Sequence, residues 1–203
     1  ILERAGWQKN ATTSEWKLPA KKKGDAPLAL YFTLATSDVP ELKRVAELVK
    51  RDWEALGAVV SLKVFEWGAL NQTVIRPRDY EALLFGEIVG RNHDLYSFWH
   101  STQRLDPGLN IALYANVAVD KILDEIRIAS TADRRASGYQ AFDDEIEKDK
   151  PAVFLYAPDF LYLIPPRVQN VNLGIINTPA ERFLGVYNWY IKTDRIWPIF
   201  VSH

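Results

Sequence analysis

The chain has 203 residues, of which 48% are hydrophobic and 25% charged, and its formal net charge at pH 7 is −1. This composition is typical of a globular protein with an apolar core, and the near-zero charge gives no support to a nucleic-acid partner. No apolar run is long enough to span a bilayer, and the absence of cysteine excludes a disulfide framework and a thiolate metal site in these residues.

The beginning of the chain is abrupt. There is no methionine and no signal-peptide pattern, and Ile1–Gly6 is typical of the last turn of a helix with a glycine cap. We therefore expect a piece of a longer protein. The polar stretch Lys9–Gly24 predicts a loop or hairpin.

A strand, a helix and a second strand follow. Pro27–Thr36 and Val59–Trp67 have the composition of strands, and Asp38 and Glu41 have the spacing of a helix capping box. The helix ends at Gly57. Apolar residues recur between these ends at helical spacing (Leu42, Val45, Ala46, Val49, Trp53, Leu56). This order predicts a βαβ unit with parallel strands.

A polar loop follows the next predicted strand. Gly68–Arg78 predicts a short helix or turn, and Ala82–Phe85 predicts a buried strand that ends at Gly86. Polar and aromatic residues come next, and Asp94–Ser101 predicts a helix capped by its aspartate. A rigid strand that leads into such a loop is typical of a ligand site.

Two longer helices are predicted next. Asn116 is placed to cap the first of them, and Thr131 or Asp133 begins the second, which runs to about Lys148. Their predicted inward positions are Val119, Ile122, Leu123 and Ile126 in the first helix and Ala136, Tyr139, Phe142 and Ile146 in the second.

The last part of the chain is apolar without helical periodicity. Ala152–Tyr156 and Leu161–Ile164 predict strands, and Pro165-Pro166 ends regular structure. So many large apolar groups in the remaining tail need something to cover them.

The stretch from Gly86 to Ile126 resembles the C-terminal lobe of the family 5 extracellular solute-binding proteins, the peptide-, nickel- and oligosaccharide-binding subunits of ABC importers. The family pattern combines a glycine after a strand, a phenylalanine at a helix start and the motif N-x-x-x-Y-x-N-x-x-x-D. The matching positions are Gly86, Phe98, Asn110, Tyr114, Asn116 and Asp120. The chain keeps step with the family from Ala5 to Pro151 and covers about half of a member.

The resemblance implies the fold and the domain organisation. It implies an α/β lobe of the type II periplasmic-binding-protein fold, with a mixed sheet and helices on both faces. Residues 1–165 would be the lobe, and residues 166–203 a tail that crosses the hinge to an N-terminal lobe.

The resemblance also implies a non-enzymatic function. An oligopeptide or a related peptide-like or sugar-like solute would bind between the two lobes and be passed to ABC permease subunits. The implied location is the periplasm or the outer face of a bacterial membrane, with an anchor. We predict no cofactor, no metal and no catalytic residue.

The predicted ligand-binding residues lie in and after the loop that follows Gly86: Glu87, Gly90, Arg91, Asn92, Asp94, Tyr96 and Trp99. Arg91 stands near the place where peptide-binding members carry an aspartate that pairs with the α-amino group of the ligand. A guanidinium there favours a carboxylate, a phosphate or sugar hydroxyls. The alternative is that Arg91 pairs with Glu87 or Asp94 within the loop.

Two other classes of function stay open. Ser97, His100 and Asp106 could form a hydrolase triad, although no G-x-S-x-G elbow is present. A stand-alone module could dimerise through the apolar tail. His93 and His100 with Asp94 match no standard metal-ligand spacing.

Overall fold

The computed structural model describes residues 1–20, 22, 24–90, 94–174 and 176–191. The strands are β1 (Gln8–Lys9), β2 (Trp16–Leu18), β3 (Leu28–Ala29), β4 (Tyr31–Ser37), β5 (Val59–Phe65), β6 (Ala82–Leu83), β7 (Val168–Gln169) and β8 (Tyr190–Ile191). The α-helices are α1 (Pro40–Leu56), α2 (Trp67–Leu70), α3 (Tyr96–Trp99), α4 (Val117–Ile128) and α5 (Ala132–Asp149). A π-helical turn, Asn71–Ile75, continues α2.

A parallel sheet of three strands forms the centre of the fold, in the order β5-β4-β6. β4 pairs along its whole length with β5, from Tyr31 opposite Val59 to Ser37 opposite Phe65. β6 pairs with β4 on the other side. The predicted βαβ unit is thus confirmed. The predicted strand Pro27–Thr36 is divided between β3 and β4, because β3 belongs to another sheet.

Helices cover both faces of this sheet, as predicted. Leu34 on β4 packs with Ala46 of α1 and Val60 of β5 on one face. Ala35, the next residue of β4, packs on the other face with Leu70 and Val74. Successive strand residues point to opposite faces, so β4 is buried on both sides, as expected for the middle strand of a parallel sheet.

A small antiparallel sheet, β1-β2-β3, lies at the end of α1. The indole N–H of Trp16 donates to the carbonyl of Leu56 at 2.7 Å. Gly57 has φ +103°, and a Cβ there would lie 2.3 Å from the carbonyl oxygen of Ser14. The glycine therefore permits both the left-handed helix cap and the close approach of the hairpin. Parallel and antiparallel pairing thus occur in separate sheets.

A second core is built from α3, α4 and α5. Trp99, Val119, Leu123, Phe142 and Ile146 are buried together, and they include two of the inward positions predicted for each long helix. Ile126 of α4 is also buried, and Ile122 packs against this cluster. Ala136 and Tyr139 were also predicted to face inward. Tyr139 is half-buried, but the prediction for Ala136 is wrong, because it lies exposed on α5.

The predicted helix caps have different outcomes. The side chain of Asn116 accepts the N–H of Ala118 at 2.8 Å and caps α4 as predicted. The side chain of Thr131 caps α5. The prediction of a capping box for α1 is wrong. The residue at the cap position is Val39, and it makes no side-chain hydrogen bond.

The strands predicted for Ala152–Tyr156 and Leu161–Ile164 are absent from the described structure. Residues 152–164 are irregular, and no main-chain hydrogen bond joins them to another part of the described chain. The hydroxyl of Tyr156 donates to Oε1 of Glu41 in the first turn of α1 at 2.8 Å, across 115 positions of sequence. β-Propensity alone does not form a strand without a neighbour to bond with.

The tail forms a small unit of its own in the described residues. β7 and β8 pair antiparallel. Two 3₁₀ turns, Pro179–Phe183 and Val186–Asn188, lie between them. The rings of Phe183 and Trp189 pack on each other and on Tyr162, which precedes the tail.

Candidate functional site

The topology of the parallel sheet marks one edge as a binding site. The connection from β4 to β5 runs through α1 on one face, whereas the connection from β5 to β6 runs through α2 on the other face. The strand order β5-β4-β6 therefore places a topological switch point between β4 and β6. In open α/β sheets ligands bind at such a point, outside the carboxyl ends of the strands. The loop after β6 is the loop predicted from the sequence.

Hydrogen bonds hold the carboxyl ends of the strands close together. The main-chain N–H of Asp38 donates to the carbonyl of Phe65 at 2.7 Å. The hydroxyl of Thr36 donates to the carbonyl of Leu84 at 3.1 Å. Ser37 is completely buried between them. The residues that follow the three strands are thus presented on one rigid rim.

Two aromatic side chains form a flat surface on this rim. Trp67 follows β5 and Phe85 follows β6, and their rings stack with centroids 5.4 Å apart and planes 12° apart. Trp67 is 51% exposed, which is unusual for so large an apolar group. Such a surface can pack against an apolar side chain or the face of a ring.

Two carboxylates on the rim differ in their electrostatics. Main-chain N–H groups of Gly68 and Ala69 hold the pKa of Glu66 below its ordinary value, because this side chain caps α2. Desolvation by the surrounding protein raises the pKa of Glu87 to about 7, and the nearby Arg78 guanidinium opposes the shift. Glu87 can therefore be neutral or charged near neutral pH, while Glu66 stays charged.

An open cavity of about 620 Å³ lies along the face of β4 and β5 behind the rim. Thr33 and Lys63 line it from the strands, and Arg78–Glu81 line it from the turn before β6. It reaches the rim at Phe65. Its lining combines the cations Lys63 and Arg78 with the carboxylates Asp79 and Glu81.

Of the predicted site residues, Glu87 and Gly90 lie in the loop that follows β6. Both residues are partly open to solvent, but the surrounding protein desolvates the carboxyl group of Glu87. Arg91, Asn92 and His93 lie outside the described residues. The role of Arg91 therefore stays a prediction.

Asp94 and Tyr96 belong to a stacked group beside this loop. Arg127 lies over the Tyr96 ring at 4.4 Å, and the ring of His100 stacks on Tyr96 with centroids 4.1 Å apart. The carboxylate of Asp94 is 3.5 Å from Nε of Arg127 and accepts the N–H of Tyr96. Asp94 thus bonds to the first residue of α3. The predicted cap is wrong, because the cap position is Leu95 and the helix is only Tyr96–Trp99, shorter than the predicted Asp94–Ser101.

Trp99 lies in the helical core and is 9% exposed. Its ring packs edge-on against Tyr114 and Phe142. The structure therefore separates it from the rim. A ligand-binding role for Trp99 has no support from this packing.

The motif residues Asn110, Tyr114 and Asn116 connect the loop after α3 to the long helices. Asn110 is fully buried, and its side chain bonds to the carbonyls of His100 and Tyr114 and to the Tyr114 N–H. The Tyr114 hydroxyl donates to Asp149 at 2.6 Å, and the Asn116 amide donates to the same carboxylate. Desolvation and the hydrogen bond to Asp149 raise the pKa of Tyr114 to about 12. These residues stabilise the fold.

The predicted triad is not assembled. Asp106 pairs with Arg76 at 3.3 Å. His100 is buried, and Nδ1 of its ring contacts the hydroxyl of Thr102 at 2.8 Å, while Nε2 lies 3.8 Å from Asp120. Within the described ranges, no group of three metal-ligating side chains is present.

Sequence reasoning missed Trp67 and Phe85. Trp67 was assigned to the predicted strand Val59–Trp67, whereas β5 ends at Phe65. A large aromatic residue at the carboxyl end of a predicted strand was the available signal. Phe85 was predicted to be buried. Only the strand order brings the two rings together.

Comparison with known proteins identifies similar chains. No protein-family model matches this chain. It is 24% identical over 193 residues to the oligopeptide-binding protein AppA of Bacillus subtilis. It is 29% identical over 170 residues to protein XP55 of Streptomyces lividans.

The solved structure of AppA, in complex with a nonapeptide, matches 95% of this chain with a TM-score of 0.69 and 24% identity. NikZ of Campylobacter jejuni, in complex with Ni(L-His), matches 93% of it with a TM-score of 0.63 and 19% identity. The predicted resemblance to family 5 solute-binding proteins is confirmed.

The chain spans about one third of the relatives that it matches, 33% for AppA and 29% for XP55. From the sequence we predicted that the chain covers about half of a family member, and that prediction is wrong. A third of the length is consistent with a single lobe of a solute-binding protein. No helix in the described part of the chain has the length and apolarity required to cross a membrane.

Proposed function

We propose that this chain is one lobe of the solute-binding protein of an ABC importer. Residues 1–165 form the lobe, and residues 166–203 form a tail that passes to an N-terminal lobe. The observation that carries the proposal is the match of nearly the whole chain to AppA, combined with an exposed rim at the switch point of the sheet.

The solute is an oligopeptide or a related molecule. The support is that AppA was solved with a nonapeptide and that other relatives bear the names of di- and tripeptide-binding proteins. The aromatic surface of Trp67 and Phe85 suits an apolar side chain, and Glu66 and Glu87 supply hydrogen-bond acceptors.

The mechanism is binding without catalysis. The solute lies between the rim and a second lobe, and closure about the hinge excludes water and presents the closed form to the permease subunits. AppA bears the name of a binding protein, and His100 and Asp106 contact different partners. The protein acts in the periplasm or on the outer face of a bacterial membrane, where it is anchored.

Calorimetry with mixed oligopeptides tests this function. A longer polypeptide that contains both lobes should bind peptide, and the 203-residue chain alone should bind at least about 100-fold more weakly, because one surface supplies only part of the contacts. Trp67→Ala in the longer polypeptide should weaken binding, whereas Leu56→Ala, which is exposed at the opposite edge of the sheet where α1 ends and β5 begins, should not. Tight peptide binding by the chain alone, or none by the longer polypeptide, would contradict the proposal.

A further inference from the structure

The ring of Trp67 is covered on one face and open on the other. The ring of Phe85 stacks on it with the two planes 12° apart, and yet Trp67 is 51% exposed. Among the described residues, no cation lies over the Trp67 ring. Trp16 differs in this respect, because Nζ of Lys9 lies 5.8 Å from the centre of its ring. The open face of Trp67 is therefore available to a ligand.

An indole ring attracts cations more strongly than the other aromatic side chains do. A guanidinium or ammonium group within about 6 Å of the ring centre is drawn to the negative face of the ring. A guanidinium is also planar and weakly hydrated, so it can lie flat on the ring at a small cost in hydration. The open face of Trp67 thus suits a cationic side chain, and arginine best.

A negative charge is fixed beside this ring. Glu66 directly precedes Trp67, which is the first residue of α2, and the Glu66 carboxylate accepts the N–H of Ala69 at 3.1 Å. Main-chain N–H groups of α2 hold the pKa of Glu66 below its ordinary value, so this carboxylate stays charged. A carboxylate has two acceptor oxygens and can bond to a ligand while it caps the helix.

The other charges close to the strand ends have the same sign. Asp38 follows β4 and Glu87 follows β6, and the first five residues after each of the three strands contain no lysine or arginine. Arg78, which is near Glu87, donates to three main-chain carbonyls of this chain. Arg91 lies outside the described residues. The described rim is thus complementary in charge to a cationic ligand group.

We infer that the open face of Trp67 receives an arginine or lysine side chain of the bound peptide, with the Glu66 carboxylate as its counter-ion. The inference rests on the proposed function, for which it names the class of peptide. That class has a cationic side chain at the position that meets Trp67. An acidic side chain at the same position would be repelled by the carboxylates of the rim.

Calorimetry with the longer polypeptide that contains both lobes tests this selectivity. The ligands are pentaalanine peptides in which one alanine at a time is replaced by arginine or by citrulline, which has nearly the same shape and no charge. At one position the arginine peptide should bind about tenfold more tightly than the citrulline peptide. At the remaining positions the two peptides should bind alike.

Three variants of the longer polypeptide assign the selectivity to the two residues. Trp67→Leu keeps an apolar side chain and should reduce the arginine-to-citrulline ratio to nearly one. Glu66→Gln keeps an acceptor for α2 and should reduce the ratio about threefold. Tyr31→Leu is the matched control, because Tyr31 is 54% exposed at the amino end of β4, opposite the rim, and the ratio should not change.

A nuclear magnetic resonance titration of the 203-residue chain tests the cation site without a second lobe. The indole N–H signal of Trp67 is identified by its absence from Trp67→Leu. It should shift on addition of millimolar acetyl-arginine amide and stay in place with acetyl-citrulline amide.

The two measurements separate the inference from the proposed function. A selective shift, together with a longer polypeptide that binds no peptide, would remove the proposed function and leave the cation site. Equal binding of arginine and citrulline peptides at every position would overturn the inference, as would a ratio that survives Trp67→Leu. A titration in which the two amides have the same effect, or no effect, would also overturn it.

Discussion

Asn110 determines the path of the loop between α3 and α4. Its buried side chain bonds to two carbonyls and one N–H of the loop. Asn110→Ala should lower the free energy of unfolding by about 3 kcal/mol, because it leaves buried main-chain groups without partners. Urea denaturation measures this, with exposed Asn71→Ala as the control. A loss no larger than that of the control would show that the loop does not depend on the amide.

Glu87 gives the stability of the chain a defined pH dependence. Its pKa is about 7 in the folded chain, raised by desolvation, against an ordinary value of 4.5. The folded state therefore holds this proton more tightly than the unfolded state. The resulting stabilisation is complete below about pH 4.5 and is lost as the pH rises through 7.

Glu87→Gln should remove this part of the pH dependence. The variant should gain stability relative to the parent chain between pH 5 and pH 8, measured as the midpoint of urea unfolding. Glu147, which is exposed on α5, provides the control. The urea midpoint of Glu147→Gln should differ from that of the parent by the same amount at pH 5 and at pH 8. Parallel pH profiles of stability for the Glu87→Gln variant and the parent would show that the pKa of Glu87 is not raised in the folded chain.

The sequence identified the important polar residues better than it identified their roles. Asn110, Tyr114 and Asn116 were recognised as family positions, and all three prove to bond within the fold. Trp99 was predicted to contact the ligand, and the structure places it in the helical core, at the last residue of α3. An aromatic residue suits a core or a ligand surface equally well, so the sequence alone does not distinguish the two.

At the scale of elements, the helix caps show where the local sequence is sufficient to predict the start of a helix. Asn116 caps α4 because the side-chain oxygen of an asparagine directly before a helix can accept the first N–H groups of that helix without help from a distant residue. Asp38 fails to cap α1, because its main-chain N–H is bonded to β5 and the helix begins later, at Pro40. A tertiary contact thus overrides the local signal.

Asn116→Ala should destabilise the chain by about 1–2 kcal/mol, through the loss of the helix cap. Asn116→Asp keeps the acceptor for the helix but loses the donor to Asp149, and it separates the two contributions. Thermal unfolding at pH 7 should order the three proteins with the parent most stable. If the alanine variant is as stable as the parent, the cap is unimportant.

The wrong strand predictions have a common cause. Residues 152–164 have the composition of strands but no neighbour to pair with in the described chain. A helix satisfies its own main-chain groups, whereas a strand needs a second chain segment. Sequence patterns therefore predicted the long helices well and these strands badly.

At the scale of the whole molecule, residues 152–164 should be the first site of proteolysis. Phe154, Tyr156 and Phe160 are exposed on an irregular segment without main-chain pairing. Chymotrypsin at low concentration should cut there well before it cuts at Phe142, which is buried in the helical core. Mass spectrometry of the products identifies the sites, and a first cut within α4 or α5 would contradict the expectation.

The location of the candidate site was predictable, but its composition was only partly so. The sequence indicated a strand followed by a polar loop, and the strand order places that loop at the switch point. Trp67 and Phe85 lie 18 positions apart and meet only because β5 and β6 flank β4. A pattern read along one chain carries no information about such a neighbour.

The hydrogen bond between Tyr156 and Glu41 has a mechanical consequence. It fastens the segment that leaves α5 to the first turn of α1, and that turn follows directly from the end of β4. A pull on the later chain therefore reaches α1 through this side chain, as well as the helical core through Phe154, whose ring lies 5.8 Å from that of Trp99. The hydroxyl of a single tyrosine thus links two segments that lie 115 positions apart in sequence.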